Sequence, residues 1–447
     1  MISADTIVAP STPHGFGGLA VVRLSGNKSV DVVKKLIPST VVSPLKNRYA
    51  TTASVVAPSG EFFDEVVVTY FKNPASYTGE DIVEISCHGS PAVVASLLTY
   101  CVEYGCRMAE PGEFTRRAFL NGKMDLIQAE SVASLIHSRS IDAAKLNTKL
   151  VRGALSNNLN LLRENLIKAL SLIEYELDVS EEELSFDRID EGRALLSSVK
   201  TSLDKLLFSY HDGRVISAGA RVVITGKPNV GKSTLLNVLV GKNRAITNKT
   251  PGTTRDTVES HSVLGGVPVC FVDTAGLRDT PDPIETEGVG RSIIERDNAD
   301  LVICLIDGLL YPIDNIDVKK LIVINKVDVL NKADLNIFLK EHSDVIPISA
   351  LKEKNIQSLR GDILSKLLNK NFRSSDVYLT TKRQNVAIGT CLGYVNQAEA
   401  LWQSSGSEIE LIAIELREAL VSLDFLLGPT SVDVVLDEVF ASFCVGK

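Results

Sequence analysis

The residues Gly226-Lys227-Pro228-Asn229-Val230-Gly231-Lys232-Ser233, followed by Thr234, have the glycine and Lys-Ser spacing of a phosphate-cradling loop. The glycines let backbone N–H groups turn towards a polyphosphate, Lys232 neutralises its terminal oxygens, and the Ser233 hydroxyl is a ligand for Mg²⁺. Three more motifs follow in order. Asp273-Thr274-Ala275-Gly276 ends an apolar run, placing a carboxylate near the metal and a glycine amide near the γ-phosphate. Asn325-Lys326-Val327-Asp328 ends a later run, where Asp328 can accept two N–H groups from guanine, a pair that adenine lacks. Ser349-Ala350-Leu351 follows the last run, in the position of a loop that backs the base. Each tetrapeptide is weak alone, but their order and spacing make the combination specific for a guanine nucleotide.

The reacting end of the nucleotide requires further groups. Leu277 stands directly after Asp273-Thr274-Ala275-Gly276, where a Ras-like enzyme carries its water-orienting glutamine, and an apolar side chain cannot position a nucleophile. The acids Asp279, Asp282, Glu285 and Glu287 supply candidates, of which Glu285 is the choice. No arginine finger is identifiable, so charge developing between the phosphates needs another cation. Asn229 offers a side-chain carbonyl to a monovalent ion, and equally serves as a turn former.

Positioning these residues requires short buried strands joined by loops and helices. Arg221 to Thr225, Val267 to Asp273, Leu301 to Asp307, Leu321 to Asn325 and Val345 to Ser349 have the apolar texture of a parallel sheet. Thr257 to Leu264 differs: Gly265-Gly266 joins it to Val267 to Asp273 as a tight hairpin, implying an antiparallel edge strand. Upstream, residues 1 to about 119 alternate short apolar runs (Leu19 to Leu24, Glu65 to Phe71, Asp81 to Cys87) with Gly, Pro and Ser, which predicts a mixed α/β domain. Leu155, Leu159, Leu162, Leu166, Ile173 and Leu177 then mark one face of a long helix. An acidic stretch, Glu174 to Glu191, reads as a solvated loop or face, and a second helical pattern runs from about Arg193 to Tyr210 until His211-Asp212-Gly213 breaks it. Past residue 375, Ile409, Ile412, Leu416, Leu420, Leu423 and Leu427 form another stripe. Both flanks carry unpaired apolar stripes, so they form one discontinuous helical domain from which the nucleotide domain, residues 218–373, is looped out.

Bulk properties set limits. The chain has 447 residues, 45% hydrophobic and 23% charged, with a formal net charge of -8, so any nucleic-acid contact must come from a local basic patch. No run approaches the ~20 apolar residues of a membrane span, and the expected address is the cytoplasm. Seven cysteines (Cys87, Cys101, Cys106, Cys270, Cys304, Cys391, Cys444) lack metal-ligand spacing and read mostly as small core residues.

Between the phosphate loop and the second strand, Thr250-Pro251-Gly252-Thr253-Thr254-Arg255-Asp256 resembles the first switch loop of the TrmE–Era–EngA-type GTPases. Near the N-terminus, Asp5-Thr6-Ile7-Val8-Ala9-Pro10, Gly15-Phe16-Gly17-Gly18, Arg23-Leu24-Ser25-Gly26, Tyr77-Thr78-Gly79-Glu80-Asp81, Pro111-Gly112-Glu113-Phe114-Thr115 and Phe119-Leu120-Asn121-Gly122-Lys123-Met124-Asp125 resemble the TrmE (MnmE) family of bacterial-type tRNA modification GTPases, as does the terminal Phe443-Cys444-Val445-Gly446-Lys447. The resemblance spans essentially the whole chain. It implies an N-terminal α/β folate-binding and dimerising domain (1–119), a discontinuous helical domain (120–217 and 374–447) and the inserted P-loop, Ras-like α/β G domain. It implies Mg²⁺ held by Ser233 and Thr254, and K⁺ held by Asn229, Asn248, Thr250 and Thr253, within a loop running from Asn248 and Lys249 to Thr254. Glu285 falls on the family's water-orienting acid. A 5-formyl- or 5,10-methylene-tetrahydrofolate site involves Arg23, Glu80, Lys123 and Lys447, and Cys444 lies in the characteristic tail. Implied partners are a second copy through the N-terminal domain, tRNA, and the FAD- and NADH-using subunit MnmG, with aminomethyl-type groups added at carbon 5 of the wobble uridine.

The competing reading is a ribosome-assembly or signalling switch of the Era or EngA kind. Those carry a KH-like domain after the G domain, whereas residues 375–447 read as helices without a Gly-x-x-Gly clamp. Neither a lipidation box nor a basic amphipathic helix supports a membrane-associated switch.

Overall fold

The computed structural model describes residues 5–38, 45–178, 186–241, 258–273, 295–307, 320–369, 377–403, 409–428 and 439–440, with Phe443 and Gly446. Two compact units make up the chain: Met1–Ala133 with Asp424–Lys447, and Ser134–Leu423.

In the first unit, strands β1 (Thr6–Pro10), β2 (Leu19–Ser25), β3 (Ala50–Val56), β4 (Phe62–Phe71), β5 (Ile82–His88) and β6 (Cys106–Met108) form a sheet in the order β3-β4-β5-β2-β1-β6. Only β1 and β6 pair in parallel. Period-two alternation assigns its two faces. Val22, Leu24, Val66, Val68, Val83 and Ile85 pack against helices α1 (Ser29–Leu36) and α2 (Pro91–Glu103), while Ile7 and Ala9 lie against Phe114 of α3 (Glu113–Leu120). Helix α4 (Leu126–Ile136) opens with a reciprocal cap: Gln128 N–H donates to Asp125 Oδ1 at 2.9 Å and Asp125 N–H to Gln128 Oε1 at 3.0 Å.

The second unit opens with helices α5 (Ile141–Val151), α6 (Ala154–Asp178) and α7 (Phe186–Ala218). Its sheet follows: β7 (Ala220–Gly226), helix α8 (Lys232–Val240), β8 (Val258–Leu264), β9 (Val267–Asp273), β10 (Leu301–Ile306), β11 (Lys320–Ile324), α9 (Lys332–Glu341), β12 (Val345–Pro347) and α10 (Ile356–Leu367). The strand order is β12-β11-β10-β7-β9-β8, parallel except for the β8–β9 hairpin. The expected antiparallel edge strand is thus present. The first phosphate-loop strand, β7, sits in mid-sheet, where both neighbours fix its direction.

Helices α11 (Lys382–Gln403) and α12 (Ile409–Leu427) complete the fold. Both α6 and α11 pack on α7, with Lys200 of α7 paired to Glu399 of α11 and a close approach of Gly192 by the Trp402 ring. The helical flanks of the sheet therefore do meet. One expectation fails: α7 does not break at His211-Asp212-Gly213 but runs through it to Ala218. A Cβ at Gly213 would fall 2.2 Å from the Leu379 carbonyl oxygen, so the glycine serves a backbone approach. His211 Nε2 lies 3.0 Å from the Leu367 carbonyl, and Asp212 accepts from Asn369 N–H at 2.9 Å. Tertiary contacts here override a turn-like tripeptide.

Candidate guanine-nucleotide site

Sterics in the phosphate loop admit glycine at two positions. At Gly226 (φ +151) a Cβ would meet Leu305 O at 2.3 Å, and at Gly231 (φ +96) it would meet Asn325 Nδ2 at 2.5 Å. Asn229 takes φ +63 at the loop's bend, a conformation that asparagine tolerates. Val230 is buried, anchoring the loop in the sheet's core. Gly231 caps α8, which starts at Lys232 and directs its N-terminal N–H groups to the loop. Lys232 is 8% exposed as a residue, and its ammonium folds back to donate to Gly226 O (3.0 Å) and Lys227 O (2.9 Å). Ser233 Oγ donates to Asp273 Oδ2 at 3.0 Å, joining the loop to the end of β9. Thr234 follows on the exposed side of α8.

The Asn325–Asp328 loop and the Ser349–Leu351 loop are stapled together. Asn325 is 3% exposed: its Nδ2 donates to Val230 O (2.8 Å) and its Oδ1 accepts from Ala350 N–H (2.9 Å). One side chain thereby binds the phosphate loop to the Ser349-Ala350-Leu351 loop. Lys326, at φ +61, donates to Asn229 O (2.7 Å) and to Asp307 Oδ2 (3.1 Å). Asp328 is exposed, and a hydrogen bond from Ser349, aided by Lys352 and Lys354, holds its carboxyl below the usual range. An ionised acceptor at the surface is what two N–H donors of guanine require. Ser349 is fully buried, and exchanged backbone hydrogen bonds with Lys354 close its loop, leaving Leu351 exposed.

The structure brings together Gly226, Asn229, Val230, Gly231, Lys232, Ser233, Asp273, Asn325, Lys326, Asp328, Ser349 and Ala350. Asn248, Lys249, Thr250, Pro251, Gly252, Thr253, Thr254, Thr274, Ala275, Gly276, Leu277 and Glu285 lie outside the described residues, as do Cys444 and Lys447. Sequence reasoning assigned Asn325 to the base and missed that it is the staple. Its only sequence signal is the position directly after a buried strand.

In the N-terminal unit, Arg23, Glu80 and Lys123 gather around the Tyr77–Asp81 loop. The Arg23 guanidinium pairs with Glu84 at 2.7 Å and lies 5.6 and 5.7 Å from the ring centres of Tyr77 and Phe114. Burial raises the Tyr77 phenol, against the opposing effects of Thr115 and Arg23. Glu80 accepts from Ser25 Oγ (2.7 Å) and Arg117 (3.2 Å), and Lys123 crosses Gly79 to donate to Pro74 O (3.0 Å). Gly446 lies against Pro10 at the end of β1 in the same unit, and Ser11 Oγ, just after that strand, donates to its carbonyl at 3.3 Å. Arg117, 5% exposed, also pairs with Asp5 (2.8 Å) and Glu113 (2.9 Å), a network that sequence reasoning missed. Its members come from three distant segments, leaving no spacing to read.

A parallel sheet with a Lys-Ser phosphate loop, a strand-end aspartate and a paired Asn-Lys-x-Asp and Ser-Ala loop defines a P-loop GTPase with an inserted G domain. The family model for the GTP-binding protein TrmE N-terminus matches residues 6–123, and that for the MnmE helical domain matches residues 126–444. The chain is 38% identical to the tRNA modification GTPase MnmE of Flavobacterium johnsoniae over 467 residues, covering 100% of both chains. It is 39% identical to that of Pseudothermotoga lettingae over 456 residues, with 99% of this chain and 100% of the relative covered. Among solved structures, the G domain of the T. maritima FeoB iron transporter is 23% identical, covers 33% of this chain and 99% of its own, and has a TM-score of 0.25. The chain belongs to the MnmE family of tRNA modification GTPases and is a GTP-hydrolysing enzyme. Among the described residues no helix is long and apolar enough to cross a membrane.

Proposed function

We propose that this enzyme is a K⁺-dependent GTPase that, with an FAD-dependent MnmG-type partner and a tetrahydrofolate one-carbon unit, adds aminomethyl or carboxymethylaminomethyl groups at carbon 5 of the wobble uridine of certain tRNAs. The observation that carries the reading is full-length kinship with tRNA modification GTPases, joined to a G site whose residues come together in one place. The functional parts are residues 1–119 for folate and dimerisation, 120–217 with 374–447 as the helical domain, and 218–373 as the G domain, acting in the cytoplasm.

Ser233 Oγ and Asp273 Oδ2 are hard oxygen donors 3.0 Å apart, a set that fits Mg²⁺, which when bound offsets phosphate charge. Ser233 with Thr254 would hold it. Lys232, fixed by two loop carbonyls, moves to the terminal phosphate oxygens when nucleotide enters, trading two neutral acceptors for charged ones. Asn325 keeps the phosphate loop and base loop in register, and Asp328 selects guanine. Asn229, Asn248, Thr250 and Thr253 would supply oxygens to K⁺, and Glu285 orients the attacking water where Leu277 cannot.

In the N-terminal unit, Glu80, hydrogen-bonded by Arg117 and Ser25, offers a carboxylate to ring N–H groups. Arg23 and Lys123, with the tail residue Lys447, offer cations to a glutamyl tail. This donor set, beside the Tyr77 and Phe114 rings, fits a tetrahydrofolate. Dimerisation through this domain and the Cys444 thiol complete the reading.

The test is mass spectrometry of wobble uridines in tRNA from a deletion strain, rescued by wild type, Asn229→Ala or Glu285→Ala. Single-turnover GTP cleavage in K⁺ and in Na⁺ at equal ionic strength accompanies it. Loss of the modified uridine on deletion and a K⁺-stimulated rate are expected, with Glu285→Ala slower by about two decades. Unchanged uridines would overturn the tRNA assignment, and equal rates in the two salts would overturn the K⁺ assignment.

A further inference from the structure

The β8–β9 hairpin has two differently attached ends. At the open end, β8 follows the Thr250–Asp256 segment in sequence, and β9 finishes on Asp273, which holds Ser233. The closed end meets helix α5. A Cβ on Gly266 (φ +88) would fall 1.9 Å from Asp142 Oδ2, in the first turn of α5, and one on Gly265 (φ +50) would fall 2.6 Å from Leu364 of α10. Halfway along, Arg139 Nη1 lies 2.7 and 3.0 Å from the two ring nitrogens of His261 on β8. Helix α5 is itself fixed: Leu146 shares the sheet's core with Val215 and Ile216 of α7, and Asn147 accepts from Ser217 Oγ at 2.9 Å while donating to Ser138 Oγ at 3.0 Å.

His261 is flanked by Glu259 and Cys270, whose donor atoms with its own lie within 4.8 Å of one another. That trio does not make a metal centre. Arg221 holds Glu259 at 2.9 Å and Arg139 faces His261, so two cations already occupy the ground a metal ion would need. Burial keeps the Cys270 thiol protonated, pushed up to about 11. The group is a clamp built of charge and hydrogen bonds, and it joins β8 to the segment that begins α5.

We propose that Arg139 and Asp142 make helix α5 the receiver of hairpin movement, so that Arg139 is a positioning residue coupling the bound nucleotide to the α5–α7 helices. Strand β9 is bonded on both sides, by β7 and β8, whereas β8 is an edge strand bonded to β9 alone within the sheet. A displacement at the open end would pass along this edge strand, whose contacts outside the sheet include Arg139 at His261 and, at the hairpin turn, Asp142. Coupling of this kind is reciprocal: if the α5 contact favours one nucleotide state, removing it must change the ratio of affinities for the two states.

The experiment measures, on the full chain, dissociation constants for GDP and a non-hydrolysable GTP analogue in wild type, Arg139→Ala and Asp142→Ala. Hydrogen exchange of residues 138–151 is followed in both nucleotide states. A merely structural role would change both affinities together. The expected result is a ratio shifted at least ~5-fold, with the nucleotide-dependent difference in α5 exchange lost. Should Arg139→Ala fail to fold, Asp142→Ala carries the same comparison from the other contact. A ratio within about twofold of wild type, or wild-type α5 exchange that is equal in the two states, overturns the proposal while leaving the GTP site standing. A wild type that binds neither nucleotide overturns both.

Discussion

Replacing Asn325 by alanine separates scaffolding from base recognition. Its amide makes two buried hydrogen bonds, to Val230 O at 2.8 Å and from Ala350 N–H at 2.9 Å. Alanine removes both and leaves a carbonyl and an N–H that had been satisfied within the protein. Each lost bond of this kind costs about 0.5–1.5 kcal/mol net, and a stranded buried group costs about 1–3 kcal/mol. Water entering beside the truncated side chain recovers part of this, so a local loss of about 2–4 kcal/mol is expected. That is a large share of the ~5–15 kcal/mol that hold a typical domain. Because the chain has two units, a single unfolding midpoint is a poor measure, and native-state hydrogen exchange of β7, β11 and the 345–352 segment in nucleotide-free full-length protein is the better assay. Exchange there should rise by about 30-fold or more, while α1 and α2 in the other unit keep wild-type protection. Rates within about twofold of wild type in β7 and β11 would refute the staple, and Asn325 would then act on the nucleotide alone.

Asp328→Asn should leave that exchange unchanged, because an amide oxygen can still accept from Ser349 at this exposed position, and should shift preference from guanine to xanthine nucleotides, with GTP affinity falling at least ~30-fold in a titration. In the N-terminal unit, burial by itself would raise the Glu113 pKa, but Arg107, the Glu110 N–H and Arg117 outweigh it and depress the carboxyl. A depressed folded-state value means the contribution is present above the unfolded pKa of about 4.3 and lost as pH falls through the folded value. Acid titration of exchange in β1 and α3 should show that loss in wild type, and Glu113→Gln should flatten it while costing about 2 kcal/mol at neutral pH.

What the sequence disclosed and what it withheld divide on a physical line. Short apolar runs and the Gly265-Gly266 dipeptide are local signals, and the six strands of the G sheet with its antiparallel edge follow from them. The phosphate loop was legible for the same reason, since its glycines answer to steric contacts that recur wherever that turn is made. Arg117 was not, because Asp5 and Glu80 come from segments that only the sheet brings beside α3. Neither was the Arg139–His261 contact, made by residues 122 apart in the chain.

The break expected at His211-Asp212-Gly213 shows that a local signal can also mislead. Glycine and aspartate are turn residues when only their own backbone is considered. In α7 the glycine instead clears space for the Leu379 carbonyl, and the aspartate accepts from Asn369 N–H, beyond the end of α10. The cost of glycine inside a helix, about 1 kcal/mol relative to alanine, is set against the clash that any Cβ would make at 2.2 Å. The same residues that weaken the helix as an isolated segment are those that let the chain returning from the G sheet lie against it. A helix that must receive a crossing backbone will carry such residues on that face, and from one sequence they are indistinguishable from a turn.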